Sequence, residues 1–594
     1  MFFIKYQILI QMLISLGLAS EIFKFSVPLD QESKVRLEWN VNDDNIAFNV
    51  TLIRKKLPFI FGLGFSDYGE FTNADLFFIE ISNDKPKYVD AHTNSKGILI
   101  KDSQSDYYLE SCSCTSHSCE ILFRRKIDTC DKNDYLIDTG TTHIIHFILN
   151  EEYSKIKELF ETEFYLKNCN GSHGMVRTQL LKSYAIPERL KKTILKNSKR
   201  FEIRNHDVKI PSSDTTYWCL VYKLNSEIFH QKHHIVGFEG IIDQRNEGVV
   251  HHMELFHCEV DPSNDYKNFS NVCTSEEKPY GLRKCRKVIA AWAMGASEFI
   301  YPNDVGGILG GTSYSMFLVL EIHYDNQNLR DDIIDSSGIR IYYTDVLRKY
   351  DAGIMEIGLE YNSKNSIPPR NEKFNLNGYC LSDCTSLGLS NEITVFASQL
   401  HTHLTGRKVW TTLIRRNMEK QILNSDYHYS PHFQEIRMLE KGVKIRPGDT
   451  LINTCEYNTE SRKNMTLGGF GIRDEMCVNY MHYYPVVDLE VCKSSIRDDV
   501  LAKFFDEMST LDLADTSSRQ SIVKNFNKIR WTSLTSAILS KLYEVAPISF
   551  SCNKSNGGNI LVNNGKNMND YKAFKIPKND FGESQRSCSS EYDD

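Results

Sequence analysis

The sequence predicts a mainly β protein: an N-terminal immunoglobulin-like sandwich, two further antiparallel β-sandwich domains of jelly-roll type, and a short helical C-terminal extension. Apolar and polar residues alternate over much of the chain, with turn residues between the alternating segments. The 594 residues, 41% hydrophobic and 11% aromatic, suffice for several cores. After Lys493 the alternation gives way to helical spacing.

The first twenty residues, MFFIKYQILIQMLISLGLAS, predict a secretory signal peptide that is cleaved near Ser20. They contain one lysine, an apolar core and a small-residue end, and Gln7 and Gln11 make the apolar run too short to favour a membrane anchor. Sixteen cysteines suit an oxidising lumen. We therefore expect a soluble protein, without a later membrane span, in a secretory vesicle lumen or outside the cell.

The net charge of −7 and the pI near 6.2 give no basic face of the kind that nucleic-acid binding usually needs. We expect no nucleic-acid partner.

Residues 35–150 alternate most clearly, with Val35, Leu37 and Trp39 separated by polar residues, and this pattern predicts an antiparallel sandwich. Asp75 and Asp90 are candidates for a hard cation there. Residues 151–205 are predicted to be a linker whose lysine-rich helical stretch is a solvated face.

Three histidine clusters suggest metal binding in the next two domains, residues 206–344 and 345–493. The first cluster is VHHMELFHC, with His251 and His252. The second is the predicted strand Met316–Tyr324, in which His323 shares a face with Glu321, a carboxylate that could orient the imidazole.

The third cluster is QLHTHLTGR, in which His401 and His403 lie on a strand predicted over residues 392–404. Residues i and i+2 of a strand share a face, so both imidazoles point the same way and can bind one metal ion. A third carboxylate ligand would suit zinc or non-haem iron, and a thioether would suit copper. Met476 is a thioether candidate on a predicted strand face with Val478 and Tyr480, while Cys477 points the other way.

The extension, residues 494–594, has helical spacing in two stretches, the second ending before Pro547. Helices of this kind often mediate packing, so homo-oligomerisation through them is one expectation. The Asn/Lys/Ser-rich tail beyond Asn553 is predicted to be disordered.

The motifs VVHHMELFHC, EIHYDN, QLHTHLTGRKV, HYSPHFQEIRML and EMCVNYMHYYP together resemble the copper type II, ascorbate-dependent monooxygenases. The similarity extends from about Val35 to about Ser555 and is greatest to the dopamine and tyramine β-hydroxylase branch. It implies that residues 35–150 are a DOMON-like sandwich, and that residues 206–344 and 345–493 are the first and second copper domains. In other proteins a DOMON module binds haem or sugar, but no His or Met here makes a convincing axial pair, so a structural or interaction role is expected.

The resemblance implies β-hydroxylation of a phenylethylamine by O2, converting tyramine to octopamine or dopamine to noradrenaline, with two copper ions per chain and ascorbate as electron donor. His251, His252 and His323 would hold the electron-transfer copper. His401, His403 and Met476 would hold the copper that binds oxygen, and Tyr217 and His401 would be catalytic. The residues that could contact the amine are Glu356, Glu360, Tyr480 and Tyr484.

The resemblance also implies six disulfides: Cys130–Cys588, Cys219–Cys273, Cys258–Cys285, Cys380–Cys492, Cys384–Cys552 and Cys455–Cys477. The cysteines outside this pattern, for which local bridges or a thiolate metal site are open, are Cys112, Cys114, Cys119 and Cys169. Sequons predict surface glycans at Asn49, Asn170, Asn268, Asn464 and Asn553.

Three other functions are open from the sequence. The first is a peptidylglycine α-hydroxylating monooxygenase, although nothing after Lys493 resembles its usual lyase partner. The second is a monooxygenase of the family without an assigned substrate, and the third is a non-enzymatic, copper-binding secreted sandwich protein. The choice between tyramine and dopamine is also open.

Overall fold

A computed structural model describes residues 23–572 with short gaps at 31–33, 54–56, 83, 150–154, 162, 169–170, 183–187, 247, 259, 261–265, 267–268, 295, 312–313, 327, 417–418, 555, 566 and 568–570. The expected signal peptide lies outside the described residues. The described chain forms two compact units. The first unit contains the described residues up to Leu181, except Thr139–Thr141. The second unit contains Thr139–Thr141 and the described residues from Lys182 onwards. No helix among the described residues is long and apolar enough to cross a membrane.

The first unit is an antiparallel sandwich of two sheets, ordered β1-β2-β3-β9-β8 and β11-β10-β4-β5-β6-β7. Its strands are β1 (Phe25–Pro28), β2 (Val35–Asn42), β3 (Asn45–Ile53), β4 (Phe59–Ser66), β5 (Asp75–Ile81), β6 (Lys87–Thr93), β7 (Leu99–Lys101), β8 (Tyr108–Cys114), β9 (Ser118–Lys126), β10 (Thr142–Leu149) and β11 (Gly171–Thr178). Trp39, Phe48 and Phe61 are fully buried in its core. The predicted fold class, mainly β with this sandwich first, is confirmed.

The first unit extends further along the chain than expected, because β11 lies inside the predicted linker. It pairs with the whole of β10, from Gly171 opposite Leu149 to Thr178 opposite Thr142. The segment GSHGMVRT is poor in strand-forming residues at its start, so its residue propensities do not predict a strand. Pairing with β10 determines its extended conformation.

The candidate cation ligand Asp75 already has a counter-charge. The buried guanidinium of Arg125 contacts its carboxylate, which also accepts hydrogen bonds from the Tyr107 hydroxyl at 2.8 Å and the Tyr135 amide at 3.0 Å. Asp90 lies close by, and burial raises its pKa to about 8. The guanidinium of Arg125 therefore supplies the positive charge beside Asp75 that we expected from a bound cation.

Of the four unassigned cysteines, Cys114 and Cys119 form a local disulfide between β8 and β9. Cys112 is a half-buried free thiol, and Cys169 lies outside the described residues, as does Cys588 of the implied Cys130–Cys588 pair. Among the sequons, Asn464 is exposed, Asn49 and Asn553 are half-buried, and Asn170 and Asn268 lie outside the described residues.

The second unit contains the remaining strands and the α-helices. The strands are β12 (Lys199–Arg204), β13 (Val208–Lys209), β14 (Thr215–Lys223), β15 (His233–Ile241), β16 (Val250–Cys258), β17 (Ser270–Val272), β18 (Cys285–Ala293), β19 (Phe299–Ile300), β20 (Val305–Leu309), β21 (Phe317–Asp325), β22 (Ile334–Asp335), β23 (Gly338–Thr344), β24 (Tyr350–Leu359), β25 (Phe374–Cys380), β26 (Ile393–His401), β27 (Gly406–Arg415), β28 (Glu419–Asp426), β29 (Arg437–Ile445), β30 (Thr450–Tyr457), β31 (Val478–Tyr484), β32 (Leu489–Ile496), β33 (Pro547–Lys554) and β34 (Tyr571–Lys572). The helices are α1 (Glu188–Asn197), α2 (Ser226–His230), α3 (Ser382–Gly388), α4 (Asp498–Thr510), α5 (Ile522–Lys528), α6 (Ser533–Val545) and α7 (Ile560–Asn563).

One long sheet, β12-β23-β15-β20-β24-β31-β26-β29, runs through both predicted copper domains. The junction is a parallel pairing of β20 with β24, in which Val305 lies opposite Tyr350 and Gly307 opposite Ala352. A five-stranded sheet, β17-β14-β21-β16-β18, and a four-stranded sheet, β25-β30-β27-β28, are also present. The two predicted domains therefore share a sheet, and their strands begin at Lys199, inside the predicted linker.

The C-terminal extension is only partly helical. Its strand β33 pairs with β32, and Tyr571 of β34 pairs with Ile548 and packs on the neighbouring core. The prediction of disorder beyond Asn553 is wrong for the described segments α7 and β34. Ile560 and Leu561 of α7 are buried and Tyr571 of β34 is half-buried, which the Asn/Lys/Ser-rich composition did not indicate.

Five implied disulfides are present in the second unit: Cys219–Cys273, Cys258–Cys285, Cys380–Cys492, Cys384–Cys552 and Cys455–Cys477. Cys384–Cys552 attaches β33 to α3, with 168 residues of sequence separation between the two cysteines.

Candidate metal centre

Two strands of the five-stranded sheet bring the first three histidines together. His252 of β16 lies directly opposite His323 of β21, and a register shift between Val250 and His252 places His251 beside them. The Nδ1 atom of His252 lies 3.1 Å from Nδ1 of His251 and 3.2 Å from Nδ1 of His323. One ring nitrogen of each histidine lies within 4.8 Å of the other two, so the three side chains could hold one ion.

This triad fits a metal ion. Tetrahedral nitrogen ligands at about 2.0 Å from a metal stand roughly 3.3 Å apart, close to the observed spacing. Burial lowers the pKa of His251 to about 3 and those of His252 and His323 well below their usual value, so all three are neutral imidazoles, the form that binds metal. Glu321 makes no described hydrogen bond to His323, so its expected orienting role is not observed.

The second pair of histidines is built differently from the prediction. Strand β26 ends at His401, and His403 lies in the loop that follows, with the two ring centroids 5.2 Å apart and the ring planes nearly perpendicular. Gly406 lets this loop close, because a Cβ there would lie 1.9 Å from Thr402 Oγ1. The two imidazoles are thus neighbours across a strand end and not residues of one strand face.

A buried carboxylate holds this loop. Glu475 accepts hydrogen bonds from the backbone N–H of His403 at 2.9 Å and of Thr405 at 2.6 Å, and from the Thr405 hydroxyl at 2.7 Å. Burial raises the pKa of Glu475 to about 7. Because Met476 follows Glu475 directly, this clamp fixes the loop and the thioether relative to each other.

The hydrogen bonds of this pair leave the opposite ring nitrogens available. His401 Nδ1 donates to Gln434 Oε1 at 2.5 Å, and His403 Nδ1 donates to the Asp474 carbonyl at 3.1 Å. Nε2 of His403 is buried and has no hydrogen-bond partner among the described residues. Burial lowers the pKa of both rings to about 3. This site therefore presents Nε2 atoms, whereas the first presents Nδ1 atoms.

Met476 lies just before β31 and is 7% exposed. It packs in a cluster with Ile354, Val478 and Tyr480, which agrees with the predicted shared face.

The two histidine groups are adjacent in this structure. The ring centroids of His252 and His401 are 5.5 Å apart, and those of His323 and His403 are 6.3 Å apart. Tyr217 stacks on His323 with centroids 4.4 Å apart, and its hydroxyl donates to the Phe470 carbonyl at 2.8 Å. Tyr217 is therefore part of the site, and burial raises its pKa, so that the phenol stays neutral.

A cavity of about 520 Å³ opens beside the two histidine groups. His252, His401 and Met476 line it, together with Glu254, Glu356 and Tyr480. Glu356 and Tyr480 were candidates from the sequence. The other two candidates lie elsewhere: Glu360 accepts from the Ser551 hydroxyl, and Tyr484 packs on Tyr350.

The carboxylates of the cavity differ in their partners. Lys493 Nζ lies 2.5 Å from Glu356 and 3.6 Å from the ring centroid of Tyr361. Burial, with Glu321 and Glu356 nearby, raises the pKa of Glu254 to about 8, and Tyr480 and Lys493 offset part of the rise. Sequence reasoning missed Glu254, which follows His252 by two residues and shares its face of β16 in the structure. No sequence pattern indicated that the site also includes Tyr361, Gln434 and Glu475.

Comparisons with known proteins agree with this geometry. Residues 201–331 and 350–505 match the N-terminal and C-terminal domains described as "Copper type II ascorbate-dependent monooxygenase", and residues 31–149 match the DOMON domain. Dopamine beta-hydroxylase of Bos taurus is 44% identical over 90% of this chain and 86% of its own, and that of Homo sapiens is 43% identical over 89% and 84%. Tyramine beta-hydroxylase of Caenorhabditis briggsae is 34% identical over 88% and 87%.

Proposed function

Because the chain belongs to the copper type II, ascorbate-dependent monooxygenases, and is a copper-dependent enzyme, we propose that it β-hydroxylates a phenylethylamine, tyramine or dopamine, with O2 and ascorbate. The observation that carries this proposal is one cavity whose lining includes His252 of the first histidine group, His401 and Met476 of the second, and several carboxyl groups.

Two copper ions fit the two donor sets. His251, His252 and His323 would hold the first ion, and His401, His403 and Met476 would hold the second. Copper reduced by ascorbate supplies the one-electron chemistry with which O2 is activated for insertion into a C–H bond. The soft thioether of Met476 favours Cu(I) at the second site, whereas three imidazoles accommodate both oxidation states at the first.

The protein's own groups place the reactants. His252 and His401 lie in the wall of one cavity, so a substrate bound there is next to both sites. Tyr217 stacks on His323 and ties its strand to the Phe470 loop, which fixes the ring that it covers. Ile354 and Val288 keep the wall beside Met476 apolar, and an apolar wall excludes water from the reacting carbon.

The charge of the cavity favours an amine over a peptide. Its described lining includes Glu254, Glu321 and Glu356, and Lys493 compensates Glu356. Acidic side chains accept hydrogen bonds from an ammonium group, and the described lining contains no lysine or arginine that would bind the terminal carboxylate of a peptidylglycine. The five disulfides of the second unit support a location in the secretory lumen.

The purified protein, loaded with copper and supplied with ascorbate and O2, is expected to convert tyramine and dopamine to their β-hydroxylated products. Comparing kcat/KM for the two amines ranks them. Hydroxylation of a peptidylglycine with no turnover of either amine would contradict the proposal.

Replacing Gln434 with leucine is expected to weaken copper binding at the second site about 10- to 100-fold, the usual effect of losing the partner of a ligating imidazole. The His401 Nδ1–H would lose its acceptor in a buried site, and the imidazole its fixed tautomer. Chelator competition, followed as copper content per chain, measures this loss.

Gln434→Glu keeps an acceptor at the same position and serves as the matched control, with affinity expected near that of the unaltered protein. Equal copper affinity in Gln434→Leu and the unaltered protein would show that this hydrogen bond does not position His401.

A further inference from the structure

We propose that the loop of residues 468–474 is a clasp that holds the second metal site against the first, and that Arg473 and Asp214 are its positioning residues. The inference rests on the two metal sites of the proposed function and adds what keeps them adjacent.

The loop contacts the start of β14 at three points. They are the Tyr217 hydroxyl donating to the Phe470 carbonyl at 2.8 Å, the Ile472 N–H donating to the Thr215 hydroxyl at 3.4 Å, and Arg473 Nε lying 3.1 Å from the Asp214 carboxylate. Strand β14 belongs to the five-stranded sheet that carries the first triad, whereas the loop lies within the matched C-terminal domain. All three contacts therefore join one copper domain to the other.

Each side of this contact is attached to a metal ligand. On β14, Tyr217 lies opposite His323 in the strand register and stacks on its ring with centroids 4.4 Å apart. On the loop, the Asp474 carbonyl accepts the Nδ1–H of His403 at 3.1 Å, and Met476 follows two residues later. A displacement of the loop from β14 would therefore separate ligands of the first site from ligands of the second.

Backbone hydrogen bonds within the loop and at its base make it rigid. They are Gly469 N–H to the Glu475 carbonyl at 3.1 Å, Glu475 N–H to the Leu467 carbonyl at 2.8 Å, and Asp474 N–H to the Gly471 carbonyl at 2.8 Å. The side chain of Glu475 also accepts from the backbone N–H of His403 at 2.9 Å. Movement at Arg473 is therefore transmitted to His403 and Met476 and is not absorbed within the loop.

The ion pair is the contact that can be altered without changing the metal sites. The side chains of Arg473 and Asp214 are 62% and 40% exposed, and neither lines the cavity beside the histidines. Exposed pairs of this kind contribute little to global stability, so a substitution here should act on the clasp and leave the fold intact.

The test is Arg473→Asp, which places two carboxylates at this contact. In the full, metal-free protein, the protection of the Ile472 amide against hydrogen exchange should fall roughly 3- to 10-fold, because an exposed attraction becomes a repulsion and this amide donates to Thr215. In the Cu(II)-loaded protein, adjacent ions broaden each other's EPR signal, and the unbroadened fraction should rise. The kcat for tyramine should fall while the copper content stays unchanged.

Combining Asp214→Arg with Arg473→Asp restores the pair with opposite polarity. The double variant should return Ile472 exchange and kcat to within about 2-fold of the unaltered protein, a recovery that a loss of packing alone would not give. Arg330→Asp is the matched control, since it reverses an exposed arginine that lies 2.9 Å from Asp332 and away from the clasp, and it should change neither quantity.

Arg473→Gln removes the charge without reversing it and should give a smaller change in the same direction. This variant keeps the test valid if the aspartate variant folds poorly. Copper content and thermal melting are recorded for every variant.

Unchanged exchange at Ile472 in a folded Arg473→Asp protein would overturn the inference, as would an equal change in Arg330→Asp or a double variant that does not recover. The exchange measurement needs neither copper nor substrate, so these outcomes leave the proposed function intact. Conversely, recovery in the double variant, without any amine hydroxylation by the unaltered protein, would support the clasp and contradict the proposed function.

Discussion

His401→Ala is expected to abolish amine hydroxylation and to leave about one copper ion per chain in place of two. His401 is buried, lines the cavity and offers Nε2 because Gln434 occupies Nδ1, so its removal takes away a ligand that no neighbouring side chain replaces among the described residues. The first triad is built from other strands and keeps its three nitrogens. We therefore expect the remaining copper to be bound at His251, His252 and His323.

The measurement is copper content after dialysis, together with product formation and thermal melting. His206→Ala, at an exposed histidine of the same unit, is the matched control and should keep both copper ions and full activity. Two tightly bound copper ions in a folded His401→Ala protein would remove His401 from the metal site.

Met476→Ile is expected to lower hydroxylation by orders of magnitude with little change in stability. Met476 packs with Ile354, Val478 and Tyr480, and an apolar exchange that roughly conserves volume usually costs under about 1.5 kcal/mol. The loss of activity would come from the thioether, the soft ligand that favours Cu(I). Activity and melting measured on the same preparation separate the two effects.

Met476→His sharpens the test, since it restores a ligand of harder character. It should recover copper binding better than it recovers turnover. If Met476 were only a core residue, the order would be reversed: isoleucine would be harmless and a buried, unpaired histidine would destabilise the unit. A fully active Met476→Ile protein would exclude the thioether as a copper ligand.

Much of the fold could be predicted from local patterns. The alternation in Val35–Asn42 and Asn45–Ile53 predicts two strands whose apolar faces are buried in the structure. That inference depends on periodicity within about ten residues, where strand geometry is nearly fixed. The grouping of His251, His252 and His323 came from the resemblance of their motifs to the family, and the structure brings these three side chains together.

The remaining features depend on contacts between distant segments. His403 leaves the strand because Glu475, 72 residues later, holds the loop backbone, and no local pattern encodes that clamp. The register shift between Val395 and Ala397 likewise interrupts an alternation that appeared continuous in the sequence. Gln434 lies 33 residues from His401, and only the fold shows that they meet.

The parallel pairing of β20 with β24 determines whether the two copper domains can fold separately. At this junction Asp351 of β24 accepts from His234 and binds Lys232, both on the far side of Thr344. A chain divided between Thr344 and Asp345 would expose the backbone edge at Val305–Gly307 and break these contacts, and an open edge invites aggregation. The two halves should therefore be inherited, exchanged and expressed only together, as one cooperative folding unit.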